Sequence, residues 1–364
     1  MLCTVLLPVT IPNDSFFSRL SVLGTKATTD IRTDKEKGLM EILGTESTTT
    51  SDTGVSVVIP NYNGEQLLRD NLPSVFAAVS KWGGTAEIIV VDDCSSDNSC
   101  NLIRDEFPAV RLIVNAQNLG FSKTCNTGMA AARYSILLCL NTDVRLEDNL
   151  LERILPHFTD PELFAVTPRI LVEREGKNQG AVIAAYRRGF IRGGFIGIND
   201  VLPTRENLYA IGACAAYDAQ KFKKLGGYSE IFSPFLFEDV DISYRAWKRG
   251  WKSIYEPSAT VWHYSNATIY KDKTKRHRHQ VIYFRNRFLF HWINLSDPSF
   301  VIKNLLTIMF RLLVSFLWLN FVYYRAFWEA LAMWKSILAL RDQEKPHRKL
   351  SDQAVYIRTS RIRN

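Results

Sequence analysis

The sequence predicts an α/β fold with a mostly parallel central sheet flanked by helices, followed by a C-terminal hydrophobic helical module. Three observations point there. Short continuous runs of Val, Ile and Leu alternate with helix-length segments between Val55 and Leu140, the pattern of a parallel sheet buried on both faces. Polar clusters stand directly after those runs, where ligands bind in such sheets. Beyond Lys271 the composition turns basic, then aromatic, then strongly apolar, which marks a separate module.

Residues 1–54 show no sustained period and close on the polar tract TESTTTSDT, so an irregular N-terminal arm is expected. Its opening, MLCTVLLPVTIPND, lacks a basic start and holds two prolines, a poor secretory signal. VSVVIP (Val55–Pro60) reads as a buried strand, and a helix follows from about Glu65 to Trp82. EIIVVD (Glu87–Asp92) is a second strand, Asp97–Phe107 a helix, and Val110–Asn115 a third strand. Phe121–Arg133 is a helix of small residues, and SILLCL (Ser135–Leu140) a fourth strand. Arg174–Val201, with six glycines and four arginines, reads as an insertion or mobile loop. Leu208–Tyr217 returns as a strand, Ala219–Leu225 and Glu238–Arg249 as helices, and Trp251–His263 as a last strand.

Composition narrows the class. With 46% hydrophobic and 23% charged residues, the chain is neither wholly disordered nor collagen-like. The net charge of +8 is unevenly placed: Lys271–Arg287 contributes +6 and Arg341–Asn364 contributes +4. Basic stretches that flank the apolar run Phe300–Tyr324 suit an anionic membrane face, and no nucleic-acid partner is expected. The six cysteines include no CxxC pair and sit in no small loop-rich framework, so reduced cytosolic thiols are expected.

Four polar groups stand at strand ends: Asn61-Tyr62-Asn63, Asp92-Asp93, Asn141-Thr142-Asp143, and Glu238-Asp239 with Asp241. Each alone is weak, because a DD or N-x-D after a strand is commonly a turn or helix cap, and an acidic first turn suits any helix. Their order is more informative. The segments VSVVIPNYNG, EIIVVDDCSSDNS, NLGFSKTCNTGMAAA, ILLCLNTDV, LGGYSEIF, FEDVDISYRAWKRGW and PSATVWHYS resemble the family 2 glycosyltransferases with the GT-A nucleotide-diphospho-sugar transferase fold. The resemblance runs from about Val55 to Thr268 and, within the family, is strongest to rhamnosyltransferase-like members that add a single sugar.

The resemblance implies roles that residue chemistry supports. Pro60, Asn61, Tyr62, Asn63 and Glu65 would form the first loop under the nucleotide, and Asp92 or Asp93 would accept a hydrogen bond from the base. Asn118, Gly120 and Lys123 would meet the diphosphate at a helix start. Asp143 would be the surviving metal-binding carboxylate of the family's DxD, with Asn141 in its first position; that departure leaves one fewer anionic ligand. His263 matches a position that often supplies another ligand, so the implied cofactor is a divalent cation, Mn2+ or Mg2+. Asp239 is the expected base for the acceptor hydroxyl, with Glu238 and Asp241 orienting it or the acceptor. The processive members' Q-x-x-R-W is missing, since none of the eight tryptophans follows an arginine.

The expected domains are therefore the arm (1–54), a GT-A domain (55–270), a basic and aromatic membrane-associating helical module (271–340) and a basic tail (341–364). Leu305–Tyr324 is long enough to span a bilayer, yet Arg311 near its middle would cost roughly 2.5–3.5 kcal/mol. Ala326–Leu340 suits an interfacial helix. A span, in-plane association and packing onto protein all stay open. The expected function is an inverting, metal-dependent glycosyltransferase moving one sugar from a nucleotide-diphospho-sugar donor to a saccharide or lipid-linked acceptor. It would be membrane-associated, with its catalytic domain cytoplasmic. A nucleotidyltransferase would want a Gly-rich basic loop where Asn61-Tyr62-Asn63-Gly64 stands, and a decayed scaffold need not keep the carboxylates.

Overall fold

The structure is a computed structural model and describes residues 52–264, 276–317 and 321–360. The N-terminal arm to residue 51 and the basic stretch 271–275 lie outside the described residues. The strands are β1 (Asp52–Asn61), β2 (Ala86–Asp92), β3 (Arg111–Val114), β4 (Tyr134–Leu140), β5 (Val144–Leu146), β6 (Leu163–Val172), β7 (Lys177–Arg187), β8 (Phe190–Gly197), β9 (Arg205–Asn207), β10 (Cys214–Asp218) and β11 (Lys252–His263). They join one sheet whose main path runs β3-β2-β1-β4-β10-β6-β11-β5. The first four are parallel to one another, β10 runs antiparallel between β4 and β6, and β11 is parallel to β6.

The covering helices are α1 (Glu65–Trp82), α2 (Ser99–Glu106), α3 (Phe121–Ala131), α4 (Leu150–Ile154), α5 (Ala219–Lys224) and α6 (Glu238–Lys248). Helix α1 stops at Gly83, whose φ of 71° lets its N–H close on the Val79 carbonyl. The small residues of α3 have a packing reason. A Cβ on Gly128 would lie 2.4 Å from Val58, so only glycine lets this helix rest on β1.

Two expectations change here. The expected loop Arg174–Val201 is instead the hairpin β7–β8, closed by Arg188 and Gly189 with φ of 50° and 73°. Two successive positive φ values make the tight turn whose twist matches its strands. The expected strand Leu208–Tyr217 is regular only from Cys214. Before it, the buried Asn207 side chain bonds to Val182 N, Gly180 O and Tyr209 O, replacing ladder bonds and freeing the following segment to bend.

The C-terminal region forms α7 (Arg276–Asn294), α8 (Pro298–Leu317), α9 (Phe321–Ala332), α10 (Trp334–Glu344) and α11 (Asp352–Ser360). The apolar run Leu305–Tyr324 is thus shared between α8 and α9, and the expected helix Ala326–Leu340 breaks at Met333. Helix α7 sends Val281, Phe288, Leu289 and Phe290 into the core shared with the sheet. Residues from the expected tail hold α6: Asp352 meets Lys248 at 2.8 Å, and Glu344 meets Arg249 at 2.8 Å. Helix α8 is long and apolar enough to cross a membrane by length and composition, with a mean hydropathy of 1.8 and 11% of that window buried. Arg311 lies on its protein-facing side, over the rings of Phe190 and Tyr323.

Candidate active site

Parallel pairing sets Asn61 beside Asp92 at the ends of β1 and β2. Asn61 Nδ2 donates to Asp92 Oδ2 at 2.8 Å, and Ser95 N donates to Asp92 Oδ1 at 2.9 Å. Asn63, at a φ of 52°, accepts from Ser96 N, and Glu65 N donates to Asp97. Asp93 Oδ1 accepts from Leu119 N and Asn115 Nδ2, and Asp93 Oδ2 from Gly120 N. Both carboxylates expected to face the base are therefore buried and engaged in fastening loops. Asp92 accepts two of these bonds and Asp93 three, so each keeps acceptor sites beyond the loops it fastens. Pro60 is the next-to-last residue of β1, and in the first loop Tyr62, 57% exposed, and Asn63 face solvent.

The expected diphosphate seat at α3 is also partly filled. Gly120 N is bound by Asp93, and Phe121 N donates to Pro234 O at 3.2 Å. Gly120 has a φ of 81° and its missing Cβ would come within 3.3 Å of Pro234 O. Lys123 Nζ lies 3.4 Å from Glu230, and Asn118 is exposed.

At the end of β4 the residues do converge. β11 pairs with β5, His263 opposite Val144, which brings His263 Nε2 to 3.3 Å from Asp143 Oδ1. His263 Nδ1 lies 3.3 Å from Gln179 Oε1, on the hairpin strand β7. An imidazole nitrogen and a carboxylate oxygen at this distance fit either a direct hydrogen bond or, with Nδ1–H turned to Gln179 Oε1, a divalent ion for which they would be partial ligands. Among the described residues no group of three or more His, Cys, Asp or Glu could hold a metal. Among the described residues, Asp143 and His263 are the two such groups that meet here. Asn141 N donates to Ala213 O, while its Oδ1 is buried without a partner.

Helix α6 supplies the acids. Leu236 and Phe237, with φ of 76° and 80°, turn the chain sharply into Glu238. Asn286 on α7, fully buried, donates to the carbonyls of Phe232, Phe235 and Leu236 and so fixes that turn. Asp239 is half-buried; its Oδ2 accepts from Gly212 N at 2.9 Å and its Oδ1 from Val240 N at 2.8 Å. The bend before β10 thus touches both clusters, Gly212 holding Asp239 and Ala213 holding Asn141. Burial raises the Asp239 pKa above the usual carboxylate value. Glu238 is buried, with Oε2 unpartnered, and burial together with the Asp239 charge pushes its pKa up to about 8. Asp241 stands apart from this pair. Its Oδ2 meets Arg245 Nε at 2.7 Å and its Oδ1 accepts from Asn294 at 2.7 Å, so it fastens α6 to α7.

Gln179, Gly212 and Asn286 are the contributors that reading the sequence misses. Gln179 and Gly212 lie in segments expected as loop and strand, and Asn286 acts on carbonyls 50 or more residues away. No local pattern marks such a contact.

The family described as glycosyl transferase family 2 matches residues 56–226. A pre-mycofactocin glycosyltransferase of Mycobacterium tuberculosis is 30% identical over 213 residues, 57% of this chain and 42% of that protein. A poly-beta-1,6-N-acetyl-D-glucosamine synthase of Staphylococcus aureus is 25% identical over 215 residues, 57% of this chain and 49% of that protein. The match spans less than half the length of these curated relatives. The solved structure of GalNAc-T7 with UDP, GalNAc and Mn2+ has a TM-score of 0.53 at 17% identity, covering 68% of this chain and 48% of that one. With the motif order, the strand-end site and these likenesses together, the fold is that of the GT-A glycosyltransferases, and residues 56–226 match the family 2 domain.

Proposed function

We propose that this chain is an inverting glycosyltransferase that moves one sugar, of rhamnosyl or related type, from a nucleotide-diphospho-sugar to a hydroxyl of a saccharide or lipid-linked acceptor. One observation carries the reading. A carboxylate suited to take a proton, Asp239, and a paired carboxylate and imidazole, Asp143 and His263, stand at neighbouring strand ends linked by the bend Gly212-Ala213.

The division of labour follows from the surroundings of each group. With Glu238 neutral up to about pH 8, the acidic pair carries a single charge, which rests on Asp239 against two backbone amides. Asp239 is the group assigned to take the acceptor's proton as the new bond forms, and a pKa raised toward the working pH suits that task. One such base serves a single displacement at the anomeric carbon, hence inversion. Asp143 and His263 would hold a divalent cation, Mn2+ or Mg2+, which supplies charge neutralisation for the departing diphosphate. Tyr62 and Lys123, both reachable from solvent, are placed to meet the donor, while Asp92 and Asp93 act by holding the loops. Addition of one sugar per encounter is favoured by the missing Q-x-x-R-W. Membrane attachment with a cytoplasmic catalytic domain is supported by α8 and its basic flanks.

The decisive experiment is a transfer and donor-hydrolysis assay on the full chain, with a panel of nucleotide sugars and added manganese. Turnover of none of them would favour a decayed scaffold. Calorimetry tests the cation: Asp143→Ala and His263→Ala are each expected to weaken manganese-supported binding of nucleoside diphosphate by about 10-fold or more. Unchanged metal dependence in His263→Ala would reduce that histidine to a strand-closing residue.

Glu238 gives a pH test. Its folded pKa of about 8 lies above the free value of 4.5, so the folded chain favours the neutral acid. Ionisation of the unfolded chain then lowers stability as pH rises from about 4.5 to about 8. Transfer is expected to decline as pH passes about 8, and Glu238→Gln to retain activity with that decline removed. An unaltered alkaline limb in Glu238→Gln would show that another group titrates.

A further inference from the structure

A cavity of about 720 Å3 lies away from the strand-end site, between the β7–β8 turn, α7, α8 and α9. Its lining includes Arg188, Phe284, Leu306, Phe310, Arg311 and Tyr323. We propose that it binds the phosphate headgroup of a membrane lipid, whose hydrocarbon lies along the exposed face of α8. The proposal concerns binding and stands apart from the reading of sugar transfer.

Arg188 and Arg311 line the cavity, and Arg287 and Arg192, outside its lining, add charge close to Arg311 and the Phe190 ring. Arg287 is 5% exposed and stacks over the Phe190 ring with its guanidinium carbon 3.8 Å from the centroid, yet its Nη2 has no hydrogen-bond partner. Arg311 lies 6.0 Å from the same ring centroid and Arg192 has a buried, unpartnered Nε. Arg188 adds a fourth cation from the exposed turn. Among the described residues no carboxylate pairs with any of the four. Burial and the charges of Arg192 and Arg311 push the Arg287 pKa down to about 10. A buried guanidinium is costly without an acceptor, and its planar fork matches phosphate oxygens.

The apolar half is α8 itself. Leu306, Met309, Phe310 and Leu313 are each at least 60% exposed, whereas Asn304, Ile308 and Arg311 turn toward protein. Two of the exposed residues, Leu306 and Phe310, also border the cavity, so hydrocarbon surface and arginines meet at one rim. A free anion would need no such apolar neighbour. An amphiphile with an anionic head uses both. The wall is built in advance: Asn304 Nδ2 donates to Gly189 O at 2.8 Å, and a Cβ on Gly189 would lie 2.4 Å from Lys303 O. The hairpin turn is therefore seated on α8 at fixed distance, with Arg188 at its tip.

The test uses the full chain in a neutral maltoside detergent, titrated by calorimetry with dioctanoyl phosphatidic acid. Saturable binding is expected, and the double variant Arg188→Gln/Arg311→Gln should weaken it at least ~10-fold. Arg188→Gln alone, in an exposed turn where folding is not at stake, should weaken it roughly threefold. Lys345→Gln/Lys349→Gln removes the same charge elsewhere and should leave affinity within about twofold. Dioctanoylglycerol, which has the tails without the phosphate, should not saturate. Unchanged affinity in both arginine variants overturns the proposal, as does an equal loss in the lysine variant, which would indicate diffuse charge. Equal binding of dioctanoylglycerol, or displacement by inorganic phosphate at the lipid's own concentration, also overturns it.

Discussion

Replacing Asp239 by asparagine is expected to lower sugar transfer by ~10²–10⁴-fold, the range for losing a positioned base. The substitution keeps size and keeps an oxygen that can accept from Gly212 N, so the bend before β10 should hold. It removes the atom that takes the proton. Donor affinity should change little, because the groups proposed to meet the donor and its cation, Lys123, Asp143 and His263, lie on other elements. Loss of rate with unchanged nucleotide binding is therefore the expected signature. A variant that transfers at nearly the wild-type rate would move the role to Glu238, whose unpartnered Oε2 is the alternative acceptor. Steady-state kinetics beside calorimetry on the same preparation separates the two.

The second large effect is structural. Asp352 is fully buried and accepts from Tyr244 OH, Lys248 Nζ, and the amides of Ser296 and Asp297. Asp352→Ala would leave the Lys248 ammonium buried without its counter-charge, a change that costs about 3–5 kcal/mol. The double variant Lys248→Met/Asp352→Leu should lose less than Asp352→Ala alone, since apolar packing can replace a buried pair. Urea unfolding of the two variants checks the order. The pH sense is equally defined. Burial pushes the Asp352 pKa up, but Lys248 and the Asp297 and Ser296 amides outweigh it and hold the pKa below the usual value. The stabilisation is thus complete above about pH 4 and lost as pH falls through the lowered value. A variant as stable as wild type at pH 7 would remove the pair from the energetics of α6.

The parallel half of the sheet was legible because β1, β2 and β4 are continuous β-branched and leucine runs between helices, and α1 is bounded by Gly64 and Gly83. The β7–β8 hairpin was not. Its glycines resemble loop composition, and only the Arg188-Gly189 step carries the turn signal. Within the site, the Asp143–His263 pair came from family resemblance, since 120 residues separate them and only the β11–β5 register brings them together. EDVD reads as one acidic cluster. Yet on a helix Asp241 stands about 200° round from Asp239, and it turns to Arg245 and Asn294. That Asp92 and Asp93 also fasten loops was not legible, because the amides they hold leave no mark in sequence.

The salt links from α6 to the last helices also order events in time. Lys248 precedes Asp352 by 104 residues, and Arg249 precedes Glu344 by 95. A ribosome adding ~5–20 residues per second releases Asp352 about 5–20 s after Lys248. Through that interval the growing chain holds the sheet's strands and the helix with Asp239, but not the carboxylates that settle the helix's cations. The same interval spans the making of α8. A nascent chain therefore carries α8 before the carboxylates that settle the end of α6 have been made.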